Sequence, residues 1–411
     1  MWQGAGVERG VVVVGGSLAG LRAIETLRNE GFEGRVTLIG AETRQPYDRP
    51  PLSKKVLAGE WEPERISLRR DDDLGSLDVD ARLGRTATGL DVHERVVTVD
   101  DGERVSYDGL IIATGAAVRR LPDQPELDGV HMLRTLDDSL TLRAALTTGS
   151  PRVVVVGAGF IGSEVAATAR GLGCEVTVVE ALPVPLARAL GPRMGLACSE
   201  LHGDHGVELR LGVGVAAVEG TDRVERVRLT DGSVVPADVV VVGIGVAPAT
   251  GWLEGSGLEL GDGVVCDATL AAGPPGVYAA GDVCRWPNAL FDEEMRVEHW
   301  TNAAEQGAHA ARSLLAAAAG GPAAPYAPVP FFWSDQYGQR IQFLGRAGPD
   351  DEVRLVSGSV EDRGFVALYG RAGRLRGVLG LSRPKLVMPY QKLLAARATW
   401  DDALAHAAAT G

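Results

Sequence analysis

At 411 residues, with 45% hydrophobic and 23% charged side chains, the chain reads as a soluble globular protein of two or three domains. Its net charge of −13 argues against general binding to nucleic acid or to anionic membranes. Its apolar runs fall far short of the roughly 20 residues a membrane span needs. The first residues lead into a valine run without the regions of a signal peptide, so a cytoplasmic protein is expected.

The first element is the run Val11 to Val14, ending at Gly15, as a strand buried on both faces of a parallel sheet does. Leu18, Leu21, Ile24 and Leu27 recur at helical spacing over 18–28, and "RVTLIG" (35–40) reads as the next strand, completing a βαβ unit. "DRPPLSKK" (48–55) follows, where Pro50 and Pro51 fix φ and remove two N–H donors, so a flat, stiff loop is expected. "GLIIATG" (109–115) is a strand closed by turn residues. The βαβ pattern returns about one domain length later. It is made of "RVVVVG" (152–157), a helix from about Ile161 and the strand "EVTVVE" (175–180). "ADVVVVGIG" (237–245) and "GVYAAGDV" (276–283) are two more strands, and a helix is expected from near Thr301. An Ala-, Gly- and Pro-rich stretch, 316–330, reads as a linker. Beyond it "PFFWSDQYG", "RIQFLG", "FVALYG" and "GVLGLS" read as aromatic-rich, alternating strands, with a last helix from about Tyr390.

Two of these turns carry chemistry. Gly157-Ala158-Gly159-Phe160-Ile161-Gly162 is a full G-x-G-x-x-G between a strand and a helix. The first glycine makes the turn, the second lets backbone approach a pyrophosphate, and the third allows close helix–strand packing. The helix N-terminus offers N–H groups and partial positive charge to the phosphates. Glu180 ends the next strand, where a carboxylate can hold a ribose 2′-OH and repel a 2′-phosphate; this favours NADH over NADPH. The earlier turn, Gly15-Gly16-Ser17-Leu18-Ala19-Gly20, has Ser17 in place of the second glycine, and an ordinary strand–helix turn fits the same residues. Glu42, past the following strand, supplies its ribose partner. Gly281-Asp282 can place a carboxylate on a ribityl chain, and Ala113-Thr114-Gly115 closes another strand. Two dinucleotide sites in one chain suggest electrons passing between two dinucleotides.

Cys174, Cys198, Cys266 and Cys284 are scattered, and no C-x-x-C signals a metal site or a redox disulfide. From Pro325 onward there are eleven Lys and Arg against eight Asp and Glu, a local +3 on an otherwise acidic chain. Arg340, Arg346, Arg371, Arg374 and Arg376 make up much of it. They fit either a solvated surface or a face that steers an acidic partner.

In chain order, the segments 15–20, 113–115, 157–162 and 281–282 resemble the glutathione-reductase-type FAD/NAD fold. With "PYDRPPLSK", "LRTLDD", "VEHWTNAAEQG" and "FFWSDQYGQRIQFLG", essentially the whole chain resembles the flavoprotein ferredoxin reductases of oxygenase systems, the putidaredoxin-reductase-like family. The fold class implied is α/β, with two Rossmann-like dinucleotide-binding domains and a C-terminal α+β domain. The FAD domain would span 1–115 and 246–322, the NAD domain 116–245 and the C-terminal domain 323–411. The activity implied is hydride transfer from NADH to FAD, then single electrons to a 2Fe-2S ferredoxin serving a cytochrome P-450 or a Rieske-type oxygenase. A monomer or homodimer is expected.

The resemblance assigns FAD to Gly15, Ser17, Ala19, Gly20, Glu42, Arg49, Lys54, Ala87, Ala113, Thr114, Gly115, Arg134, Gly281, Asp282, Trp300 and Trp333. It assigns NAD to Gly157, Gly159, Phe160, Ile161, Gly162, Glu164, Glu180, Gly243 and Gly245. Lys54 would hold its ammonium near flavin N5 and Glu164 would touch the nicotinamide; these are the expected catalytic pair. Read as residues alone, Lys54 and Lys55 also fit a solvated helix start, Glu164 a first-turn carboxylate favoured by the helix dipole, and Trp300 and Trp333 core filler. His299 reads as a satisfied histidine. No cysteine lies near Lys54, which disfavours a disulfide reductase or a peroxidatic NADH oxidase. A rubredoxin reductase, another NADH-oxidase-like flavoprotein or an apoptosis-inducing-factor-like redox sensor are the alternatives.

Overall fold

The computed structural model describes residues 10–69 and 74–410; the N-terminal stretch read as free of a signal peptide lies largely outside them. The fold is mixed α/β and divides into two units. The first comprises Met1–Asp48, Glu64–Ala117 and Ala247–Pro330, the second Arg49–Pro63, Val118–Val246 and Phe331–Gly411.

The centre of the first unit is a five-stranded parallel sheet, in the order Val277–Ala279, Gly109–Ile112, Gly10–Val14, Arg35–Gly40, Val79–Leu83. The Val11 to Val14 run is buried throughout, as a central parallel strand requires. The helices Leu18–Asn29 and Trp300–Ala318 pack on each other closely enough that a Cβ on Gly307 would lie 2.2 Å from the Ala19 carbonyl oxygen. Leu21, Ile24, Leu27, Leu110, Ile112 and Leu314 belong to the shared core. The helix Trp300–Ala318 runs three residues into the stretch read as a linker, and Gly320 follows it with φ +77°.

The second unit repeats the parallel motif: Glu208–Leu211, Glu175–Glu180, Arg152–Val156, Val239–Val242, Val130–His131. It also contains an antiparallel sheet, Phe331–Gln336, Gln339–Gly345, Arg374–Leu381, Gly364–Arg371, Glu352–Ser359. Phe343, Phe365 and Tyr369 of that sheet share a core with Leu190, Met194 and Leu201 of the helix Ala187–Asp204, and Tyr369 donates to the Leu190 carbonyl oxygen at 2.7 Å. The helix expected from Tyr390 is broken in two. Tyr390–Ala395 ends before Arg397 at φ +55°, and Trp400–Thr410 starts after a Thr399–Asp402 cap. Among the described residues no helix is long and apolar enough to cross a membrane.

Candidate functional site

In the first unit the strand Gly10–Val14 delivers its turn to the helix Leu18–Asn29. Gly15 has φ +126°, and a Cβ there would sit 2.0 Å from the Ala113 carbonyl oxygen, so glycine is required where the turn meets the end of the neighbouring strand. A Cβ on Gly20 would sit 2.0 Å from the Gly15 carbonyl oxygen, which is the close helix packing expected of the third glycine. Ser17 takes φ −124°, ordinary extended backbone, so its side chain carries no conformational cost; it is the N-cap residue, yet its hydroxyl caps no helix N–H. Gly281 lies against the same helix, where a Cβ would be 3.2 Å from that of Ala19, and its N–H donates to Gln306 Oε1 at 2.8 Å. The turn, the 113–115 segment and Gly281-Asp282 therefore converge.

The remaining members expected in this unit have the following partners. Glu42 follows the strand Arg35–Gly40 and accepts a hydrogen bond from the Tyr47 hydroxyl. Ala87 opens the strand Ala87–Asp91, two residues past Arg85, whose N–H donates to the Gly40 carbonyl oxygen at 2.9 Å. Thr114 donates to the Ala249 carbonyl oxygen at 3.0 Å. Trp300 begins its helix half-buried and donates Nε1–H to Asp48 at 2.6 Å, so it is more than core filler. Gln306 is fully buried and its Nε2 has no partner among the described residues, a donor left over beside the Gly281 turn.

In the second unit Gly157, at φ +101°, approaches the end of the strand Val239–Val242, where a Cβ would lie 2.4 Å from the Gly243 carbonyl oxygen. A Cβ on Gly162 would lie 2.0 Å from the Gly157 carbonyl oxygen. Gly159 differs: a Cβ there would meet no atom within 4 Å, nor would one on Gly245. The smallness of Gly159 thus serves no packing of the protein itself and leaves room over the N-terminus of the helix Phe160–Gly171. Glu180 is fixed at the lip, with Oε2 accepting from the Ala158 N–H and Oε1 from the Leu182 N–H, each at 2.8 Å. Ile161 is exposed, and Phe160 packs on Phe332 with ring centroids 4.8 Å apart. Both turns fit a dinucleotide, with backbone N–H groups at a helix start and a carboxylate past the next strand; the second adds Cβ-free space at Gly159, where the first has Ser17.

The second unit also holds a buried charge pair. Glu164 is 3% exposed, and Lys54 donates to its Oε2 at 2.7 Å. Ser53 donates to the same oxygen at 2.5 Å and Ser334 to Oε1 at 2.7 Å. Gln336 Nε2 in turn donates to Ser334 Oγ at 3.2 Å. Two expectations change here. Glu164 stands beyond the first turn of the helix, where the dipole has faded, and side-chain donors hold it instead. Of the two lysines only Lys55 is solvated, paired with Glu60 at 2.5 Å; Lys54 is largely buried.

Pro50 and Pro51 do not form a flat loop but a short 3-10 helix, Pro50–Ser53, which delivers Ser53 and Lys54 to Glu164. Its anchors are Ser139 Oγ on the Leu52 carbonyl oxygen at 2.7 Å and Thr168 Oγ1 on that of Ser53 at 2.8 Å. Arg49 donates to the Arg134 carbonyl oxygen at 2.6 Å. Trp333 is half-buried beside Phe331, with centroids 6.0 Å apart. Arg340 pairs with Asp335 at 2.7 Å and Arg371 with Asp351 at 2.6 Å.

Sequence reasoning missed Ser53, Ser334 and Gln336. Their one signal was period: Ser334 and Gln336 continue, on the same strand face, the position of Phe332. Among the described residues no cluster could hold a metal ion. All four cysteines are buried and free, and burial pushes the Cys198 thiol up to about 12 and raises those of Cys174 and Cys284. These three are not poised as thiolates.

Two family profiles match the chain: Pyridine nucleotide-disulphide oxidoreductase over residues 9–307 and Reductase C-terminal over 331–410. The chain is 39% identical, across 91% of its length and 90% of the relative's, to the 5,5'-dehydrodivanillate O-demethylase ferredoxin reductase subunit of a Sphingobium species. It is 40% identical, across 84% of its length and 83% of the relative's, to the biphenyl dioxygenase system ferredoxin–NAD(+) reductase component of Paraburkholderia xenovorans. The solved covalent putidaredoxin reductase–putidaredoxin complex matches with a TM-score of 0.91 at 30% identity, covering 98% of this chain and 99% of that one. With a match that takes in both glycine turns and the Lys54–Glu164 pair, this chain belongs to the pyridine nucleotide-disulphide oxidoreductase family.

Proposed function

We propose that the chain is an NADH-dependent flavoprotein reductase that passes electrons through FAD to a 2Fe-2S ferredoxin serving an oxygenase. The observation that carries this reading is the presence of two dinucleotide cradles in one chain, one in each unit, with no cysteine in the 48–55 stretch that meets Glu164. The relatives from oxygenase systems support the acceptor. FAD, when bound, supplies the conversion of a two-electron hydride donor into single electrons.

In this reading the cradle of the first unit holds FAD, with Glu42 at its ribose, the helix start at its phosphates and Asp282 at its ribityl chain. The cradle of the second unit holds NADH, with Glu180 at the ribose and Glu164 toward the nicotinamide. Arg49, Lys54, Arg134, Ala87, Trp300 and Trp333 keep their flavin roles on the strength of the family resemblance. The division at 115/116, 245/246 and 322/323, the cytoplasmic location and a monomeric or homodimeric state belong to the same proposal. A carboxylate fixed at the ribose end disfavours a 2′-phosphate.

The test is anaerobic mixing of the purified protein with NADH or NADPH while flavin absorbance is followed. We expect one FAD per chain and bleaching by NADH at least about tenfold faster than by NADPH, a preference of about 1.4 kcal/mol. Protein that takes up no FAD, or a flavin that NADH leaves yellow, would end this reading.

A further inference from the structure

The Glu164 carboxylate presents two unequal oxygens. Oε2 takes Lys54 and Ser53, whereas Ser334 is the one described donor to Oε1, at 2.7 Å. Ser334 is fully buried and Gln336 is 1% exposed. Because Gln336 Nε2 occupies a lone pair of Ser334 Oγ at 3.2 Å, the hydroxyl proton of Ser334 is directed at Glu164. A buried carboxylate oxygen with no donor costs stability and orientation alike. With one donor, Oε1 also keeps capacity to accept a second hydrogen bond.

We propose that Ser334, oriented by Gln336, is a positioning residue that fixes Glu164 so that Oε1 can accept from the nicotinamide end of a bound dinucleotide. The strand Phe331–Gln336, which belongs to the C-terminal segment, thereby takes part in recognising the pyridine nucleotide held by the helix Phe160–Gly171. This rests on the functional reading above, in which that helix binds NADH.

The test is calorimetric binding of NAD+ and of ADP-ribose, which lacks the nicotinamide, to FAD-loaded wild type, S334A, S334T, E164Q and S334A/E164Q. S334A is expected to weaken NAD+ about tenfold, the scale of one hydrogen bond to a charged group, and to leave ADP-ribose within about twofold. S334T, which keeps the donor, recovers the NAD+ affinity. On the E164Q background S334A has no further effect, because it acts through Glu164. S334C, a weak donor, replaces S334A if that variant yields no holoprotein. Equal losses for both ligands, or an S334A with wild-type NAD+ affinity, would overturn the inference alone. A wild type that binds neither ligand would overturn the functional reading and this inference together.

Discussion

Glu164→Leu removes one half of a buried ion pair and shows whether the pair is held as the geometry implies. In that variant the Lys54 ammonium, only 15% exposed, loses its carboxylate, and the Ser53 and Ser334 hydroxyls lose their acceptor. Breaking a buried pair by removing one partner costs about 3–5 kcal/mol. The partial exposure of Lys54 lets water relieve some of it, so about 3 kcal/mol is the reasonable expectation. For a unit of this size that is a fall in Tm of about 6–12 °C. Adding Lys54→Met removes the stranded charge but not the stranded hydroxyls, and should leave a penalty of about 1–2 kcal/mol. The assay is thermal unfolding by circular dichroism at saturating FAD for wild type, the two single variants and the double. A Glu164→Leu protein melting within 2 °C of wild type, or a double variant melting no higher than that single, would refute the reasoning.

Three other outcomes are expected. Glu180→Gln removes the charge opposing a 2′-phosphate and keeps an acceptor oxygen for one of the Ala158 and Leu182 N–H groups, while the other loses its partner; the NADH-to-NADPH ratio of kcat/KM should fall at least about tenfold. Gly20→Ala forces a Cβ to within 2.0 Å of the Gly15 carbonyl oxygen and should abolish FAD retention; Gly203→Ala, exposed in the helix Ala187–Asp204 with nothing within 4 Å, should be neutral or stabilising by up to about 1 kcal/mol. Burial pushes the His202 imidazole down to about 4 from 6.5, with Tyr337 at its Nδ1 and His205 adding repulsion. The unfolded chain takes up that proton first, so this contribution is fully present above about pH 6.5 and lost as pH falls toward 4, by about 3 kcal/mol in all. Tm measured from pH 7 to 4.5 should fall less steeply in His202→Asn than in wild type, and parallel curves would contradict the assignment.

Much of the fold was legible in the sequence because central parallel strands cannot hide. Runs such as Val11 to Val14 and Val153 to Val156 are apolar at every position, buried on both faces. The glycines at 15 and 157 mark turns with φ of +126° and +101°, which other residues rarely adopt. The carboxylates Glu42 and Glu180 were placed by counting from those turns. What could not be read was long-range. Nothing local says that Ser53 meets Glu164 across 111 positions or that Ser334 does so across 170. Adjacent lysines look alike in sequence, yet folding buries Lys54 and leaves Lys55 in water. Glu164 was read as a first-turn residue because helix starts are uncertain by a residue or two, and that margin decides whether the dipole matters. The second glycine was legible as a motif, but only the open space at Gly159 shows that it is spared for something other than packing.

The central claim, that electrons leave NADH as a pair and reach an iron–sulfur partner singly, is tested most directly by NADH-driven reduction of cytochrome c with and without an added 2Fe-2S ferredoxin. The account predicts slow reduction by the yellow protein alone and strong stimulation that saturates with ferredoxin. Rapid bleaching of the flavin by NADH with no stimulation by any 2Fe-2S ferredoxin would contradict it and direct attention to rubredoxin, quinones or oxygen as the acceptor.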